Sequence, residues 1–137
     1  MFISNIKFIL GLSVFLFIGL WWYNGITANP ELYWADMALH FLGGILVAAI
    51  FLNFFGNRRD LFDLSVNRIS GFLFVVSFVA LIGLLWEFYE YLNDYFFLQW
   101  LSSLPANITL SDTLSDLLFD LFGGITASVS YYSRESL

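Results

Sequence analysis

Ala35-Asp36-Met37-Ala38-Leu39-His40-Phe41-Leu42-Gly43-Gly44-Ile45 and, eighty residues further on, Ser115-Asp116-Leu117-Leu118-Phe119-Asp120-Leu121-Phe122-Gly123-Gly124-Ile125 carry one pattern, D-x-x-x-[HD]-x-x-G-G-I. Each copy sets two ionisable residues four positions apart in an apolar segment, so a helix stacks them on one stripe. A Gly-Gly pair follows about one turn below, where small residues let two helix backbones approach closely. The preceding segments also match, Gly19-Leu20-Trp21-Trp22 against Gly83-Leu84-Leu85-Trp86. The repeat predicts two related helical hairpins about an axis along a membrane normal, with the polar residues at their interface. Coincidence is the competing reading, since chains rich in Leu, Phe and Gly produce such matches by composition. If the pattern is real, the helices carrying Gly43, Gly44, Gly123 and Gly124 touch, and their acids meet.

Composition says what medium surrounds those helices. The 137 residues are 60% apolar, 21% aromatic and 12% charged, with a mean hydropathy of +0.81. An ordinary globular chain is roughly half apolar and about a quarter charged, so this one lacks the polar surface to coat a soluble domain. Its apolar content also excludes disorder. A formal net charge of −6 argues against nucleic acid as a partner. The absence of Cys removes thiolate metal sites, disulfides and thiol catalysis. An integral membrane protein remains, with lipids as its surroundings.

A membrane helix needs about 20 mainly apolar residues. Phe8 to Pro30 and Ile69 to Trp86 carry no charge, Leu32 to Phe55 is interrupted by Asp36 and His40, and Asp112 to Tyr132 holds three Asp residues. The prediction is an all-α, polytopic single domain with spans near 6–23, 32–55, 69–91 and 112–133. The first span has an alternative as a signal peptide, because it follows one Lys and ends near Thr27-Ala28-Asn29. Its long apolar run and the lack of an A-x-A site favour a span.

Four crossings put Lys7, Arg58, Arg59, Arg68 and Arg134 on one side and leave the loops 24–31 and 93–111 without a basic residue. By the positive-inside rule both termini are cytoplasmic, in a cell (inner) membrane. Trp21, Trp22, Tyr23, Tyr33, Trp34, Trp86, Tyr89, Tyr91 and Trp100 fall near the opposite, exoplasmic interface, where aromatic belts form. The exoplasmic loop 93–111 reads as an interfacial segment around Tyr95 to Leu104 and a break at Pro105. Its Asn107-Ile108-Thr109 sequon reads as chance in a chain whose composition fits a bacterial or archaeal protein.

Six carboxylates and the single His lie in or at the ends of the spans: Asp36, His40, Glu87, Glu90, Asp112, Asp116 and Asp120. Spacings of three and four group them as Asp36/His40, Glu87/Glu90 and Asp112/Asp116/Asp120, all in the exoplasmic half. A carboxylate at mid-membrane costs roughly 2.5–3.5 kcal/mol on insertion scales. With every Lys and Arg on the other side, His40 is the one protein cation in reach, and three remedies stay open: a divalent metal, shared protons, or a water-filled cleft. Asp112 has a second reading as a helix N-cap, and Glu90 as a solvated interfacial residue. Oxygen donors with one imidazole suit Mg²⁺, Mn²⁺, Zn²⁺ or Fe²⁺. One His is too few for a ferritin-type di-iron centre, and no G-x-S-x-G elbow supports serine hydrolysis.

At these residues the chain resembles the VanZ-like and YjdF-like families of small bacterial membrane proteins, the YjdF-like more closely. Their Asp-Lys-x-x-His-Phe, Glu-x-x-Glu and Asp-Thr-x-x-Asp stretches are matched by Asp36 to Phe41 with Gly44, by Glu87 to Glu90, and by Asp112-Thr113-Leu114-Ser115-Asp116 leading to Gly123. Met37 replaces the usual Lys, Leu114 stands where the YjdF-like pattern has Gln, and Asp120 where VanZ-like chains often have Asn. The resemblance implies a polytopic membrane protein and, on the VanZ-like side, a link to low-level teicoplanin resistance. It implies no defined reaction.

The expectation is a divalent ion held by Asp36, His40, Asp116 and Asp120, with Glu87 and Glu90 as catalytic acid/base candidates and Asp112 and Thr113 as further polar members. Such a site acts on or binds a lipid-linked or phosphate-bearing envelope substrate. Proton or cation translocation or sensing is the alternative, and a non-catalytic membrane subunit is a third.

Overall fold

The computed structural model describes residues 5–26, 33–56, 67–93, 95–96 and 109–134. Four helices make up the fold: α1 (Ile6–Ile26), α2 (Tyr33–Gly56), α3 (Arg68–Asn93) and α4 (Leu110–Arg134). Their ends lie within three residues of the four sequence segments named above. The expected exoplasmic segment beyond Phe96, the sequon's Asn107 and Ile108, Arg58, Arg59 and Trp100 lie outside the described residues, as do the side chains of Trp21, Trp22, Tyr23, Tyr33 and Arg134.

Side-chain caps set three of the helix starts. The Asn5 Oδ1 accepts from the Lys7 N–H at 2.9 Å, and the Asn67 Oδ1 accepts from Ile69 and Ser70 at 3.0 and 3.3 Å. Thr109 does the same for α4, its Oγ1 accepting from the Asp112 N–H at 3.2 Å. The cap is therefore Thr109, and Asp112 is the third helical residue, where a carboxylate suits the positive end of the helix dipole. The cap reading of Asp112 is corrected accordingly.

Packing follows the small residues. A Cβ on Gly44 would collide with the backbone of Asp120, and one on Gly123 with the Phe41 carbonyl oxygen, so α2 and α4 cross in contact there. The pairings Gly44 with Asp120 and Gly56 with Tyr131 make them parallel. Gly83 against Asp120 and Gly124 against Val79 run α3 antiparallel to α4. On α3 the buried residues are Gly71, Val75, Val79, Gly83 and Glu87, a single ridge of four-residue steps that fits the grooves of its neighbours. Helix α1 packs on α2, and among the described residues its backbone comes close to neither α3 nor α4. The two copies of the repeat are used differently: Gly44 meets α4, whereas its counterpart Gly124 meets α3.

Large apolar side chains face outward, and ionisable ones are turned inward. Phe17, Ile69 and Leu10 are 73%, 72% and 58% exposed, while His40, Glu87, Asp116, Asp120 and Ser128 are buried. Water would reverse that distribution; lipid favours it. Helices α2 and α3 are long and apolar enough to cross a membrane, and α1 contains a shorter apolar helix, Ile6–Leu20. Hydroxyls inside the helices bond back one turn, as Ser128 Oγ does to the Gly124 carbonyl at 2.7 Å, so they do not need a partner helix. Trp34, Trp86, Tyr89 and Tyr91 are exposed at the end of the bundle that carries the acids.

Candidate metal centre

The acids converge because each lies on the buried stripe of its helix. On α2, His40 continues the ridge of Gly44, Ala48 and Leu52; on α3, Glu87 ends the ridge that begins at Gly71; on α4, Asp116 and Asp120 precede Gly124, Ala127 and Ser128. The same four-residue stepping that packs the helices therefore carries carboxylates into one end of the core.

His40 is the hub. Its Nδ1 lies 3.4 Å from Asp120 Oδ2 and its Nε2 lies 4.0 Å from Asp116 Oδ1, so the imidazole bridges two successive turns of α4. Two sets of three potential ligands contain it: Asp36, His40 and Asp116, and His40, Glu87 and Glu90. Within each set the donor atoms lie within 4.8 Å of one another. An ion with bonds of about 2.1 Å holds neighbouring donors about 3.0–3.4 Å apart and opposed ones about 4.2 Å, so the side chains of a group would draw inward around it. The Thr113 side chain hydrogen-bonds Glu87, and the Trp86 side chain hydrogen-bonds Glu90.

Two carboxylate oxygens in this cluster, Glu87 Oε1 and Asp116 Oδ1, are buried with no hydrogen-bond partner, and their residues are 8% and 3% exposed. An unsatisfied buried acceptor costs about 1–3 kcal/mol, more if charged. No Lys or Arg compensates them among the described residues. Arg68 starts α3 nineteen residues before Glu87, about 28 Å away along the helix at 1.5 Å per residue, and Lys7 is exposed at the start of α1.

The structure separates the expected ligand set. Asp36, His40 and Asp116 come together, Glu87 and Glu90 approach from α3, and Thr113 joins through Glu87. Asp120 belongs to neither group of three; it sits against Nδ1 of His40 and against Gly83, where a Cβ would lie 2.6 Å from its Oδ2. Asp112 is half-buried and outside both groups. Of the glycines, Gly44 and Gly123 make the α2–α4 crossing, Gly124 makes room for Val79, and Gly43 faces the Asp120 carboxylate. Sequence reasoning missed the part played by Gly83, which gives Asp120 its space. Its signal was present: Gly83 stands one turn before Glu87, on the same stripe.

Fold and cluster together define an all-α membrane protein with a buried polar centre at one end of its bundle. The chain belongs to the family described as "Predicted membrane protein (DUF2238)", whose model matches residues 4–136. No curated protein and no solved structure matches it.

Proposed function

We propose that the protein is a divalent-metal-binding membrane protein of the cell envelope, holding its ion in the exoplasmic half of a four-span bundle with both termini cytoplasmic. The observation that carries this reading is a pair of buried carboxylate oxygens without a hydrogen-bond partner, on Glu87 and Asp116, whose residues belong one to each of the two ligand groups that share His40. A cation in either group would satisfy the oxygen that belongs to it and offset the charge of the carboxylates around it.

In this reading Asp36, His40 and Asp116 are the primary ligands. Asp120 takes a different part from the ligand role expected of it: its carboxylate accepts from the Nδ1–H of His40 and leaves the Nε2 lone pair toward Asp116, the carboxylate–imidazole pairing that orients metal-bound His residues. Glu87 is a further ligand or the general base, and Glu90, tethered by Trp86, stands beside it. Bound there, Mg²⁺, Mn²⁺, Zn²⁺ or Fe²⁺ would polarise a phosphoryl or carbonyl oxygen. The kinship with VanZ-like and YjdF-like proteins stays part of this proposal and supports an envelope role. A proton relay through one chain is disfavoured, because all six carboxylates among the described residues sit at one end, and Ala48, Leu52, Val75 and Val79 fill the core beyond them.

Elemental mass spectrometry on detergent-purified protein tests the reading, beside a His40→Ala, Asp116→Ala double variant of equal yield and helicity. About one divalent ion per chain in the parent and none in the variant is the expected result. An empty parent after reconstitution with Mg²⁺, Mn²⁺ and Zn²⁺ would sink it.

A further inference from the structure

A cavity of about 440 Å³ lies beside the cluster, walled by α1, α2 and α3. That volume falls in the range of about 300–1,000 Å³ typical of small-molecule sites. Its polar groups are confined to one end: Asp36 and His40 from α2, and Asp120 from α4. From there it runs down past Leu16 and Leu39 to Ser13, Val47 and Val79, and the Ser13 hydroxyl is already bonded to the Ile9 carbonyl at 2.8 Å. The deep part is therefore hydrocarbon-lined, and such cavities do not hold water.

Two features orient an occupant. Helices α1 and α3 both line the cavity while their backbones stay apart, each packing on α2, so the opening between them is a path from the lipid. Phe17 and Trp86, both exposed, stand on its two sides. From Asp36 to Val47 is eleven residues of α2, about 16 Å at 1.5 Å per residue, close to the hydrocarbon depth of one leaflet, which is about half of 30 Å. The polar end lies at the aromatic-flanked end of the bundle and the apolar end toward the bilayer centre. That is the polarity, length and direction of a lipid in the same leaflet.

From this geometry we infer that the cavity seats one hydrocarbon chain of a phosphate-headed lipid, which enters sideways between α1 and α3 and sets its phosphate on the ion at His40 and Asp36. The assignment rests on the metal reading, because six carboxylates without a cation would repel a phosphate. It also gives a use to the difference between the hairpins: α3 closes on α4 through Gly83 and Gly124, while α1 packs on α2 alone and leaves room for a chain beside α3.

The test uses the full chain in maltoside micelles, which carry no phosphate, with two probes whose tails end in the same photoreactive diazirine: a phosphatidic acid and a diacylglycerol. Metal content is measured first on the same sample. With metal bound, phosphatidic acid should label Ser13, Val47 and Val79 about ten-fold more than diacylglycerol, a difference of about 1.4 kcal/mol, and EDTA should erase the preference. Leu46→Trp, which fills the cavity wall away from the acids, should abolish this labelling and keep the metal. Labels confined to the outward-facing Phe15, Phe74 and Leu81, or equal labelling by the two probes with metal in place, would overturn the inference and leave the metal centre standing. A parent without metal brings down the reading of the cluster, and the phosphate assignment with it.

Discussion

The same three helices build two ends of one core by opposite rules. Around Ala48, Leu52, Val75, Val79 and Ala127 the residues are small or apolar and almost fully enclosed, with Phe51, Phe55 and Phe78 rings 4.7–5.0 Å apart beside them. One α4 turn above Gly124 the same buried stripes carry Asp120, Asp116, His40 and Glu87. Lipid supplies no hydrophobic drive between helices, so the first end holds by close packing. The second end holds groups that oppose burial and are stabilised only by one another or by a ligand. Stability belongs to the packed end, and the proposed metal centre to the acid end.

The largest break should come where the two ends meet. Gly44→Val puts side-chain atoms into the Asp120 backbone, and α2 and α4 can no longer cross; we expect loss of the monodisperse species in size-exclusion chromatography. Within the packed end, Leu52→Ala should lower thermal stability by an amount near the bottom of the usual range of about 2–5 kcal/mol, since only packing is lost in lipid, and metal content should stay unchanged. At the acid end, Asp120→Asn should weaken metal binding about 10–100-fold, because a neutral amide replaces the carboxylate that makes the His40 ring a stronger ligand, with little change in the apparent melting temperature of the stripped protein. Smallest and opposite in sign is Asp116→Asn, which removes a buried charge; the EDTA-treated variant should melt higher than the parent by about 1 kcal/mol equivalent. A lower melting point for that variant would mean that Asp116 supports the fold, and the division between the ends would fail.

The repeat around Asp36 and Asp116 made the parallel contact of α2 and α4 legible, because Gly-Gly one turn below an acid has few uses in lipid besides close approach. It did not tell which glycine of each pair does the work. Gly44 and Gly123 face the crossing, Gly124 faces Val79, and Gly43 faces Asp120; that one-residue offset depends on how far α3 intrudes, which no local pattern encodes. Spacing likewise grouped Asp116 with Asp120. Their division into a residue near Nε2 and one near Nδ1 of His40 reflects the position of the ring between two turns of a neighbouring helix. The cap at Thr109 was hidden by an Asp three residues later that fits the same role.

Sequence by itself determined the medium, the number of helices and which residues share a stripe, since hydropathy, charge and periodicity are local properties of the chain. It also determined that the acids would meet, through glycines at one spacing in two copies. The tertiary structure alone decided that two carboxylate oxygens end without hydrogen-bond partners, that Asp120 lies against Nδ1 of His40, and that a 440 Å³ cavity opens between helices whose backbones stay apart. Each of these depends on distances between side chains from different helices, set by crossing angle and register, and a one-dimensional pattern carries neither.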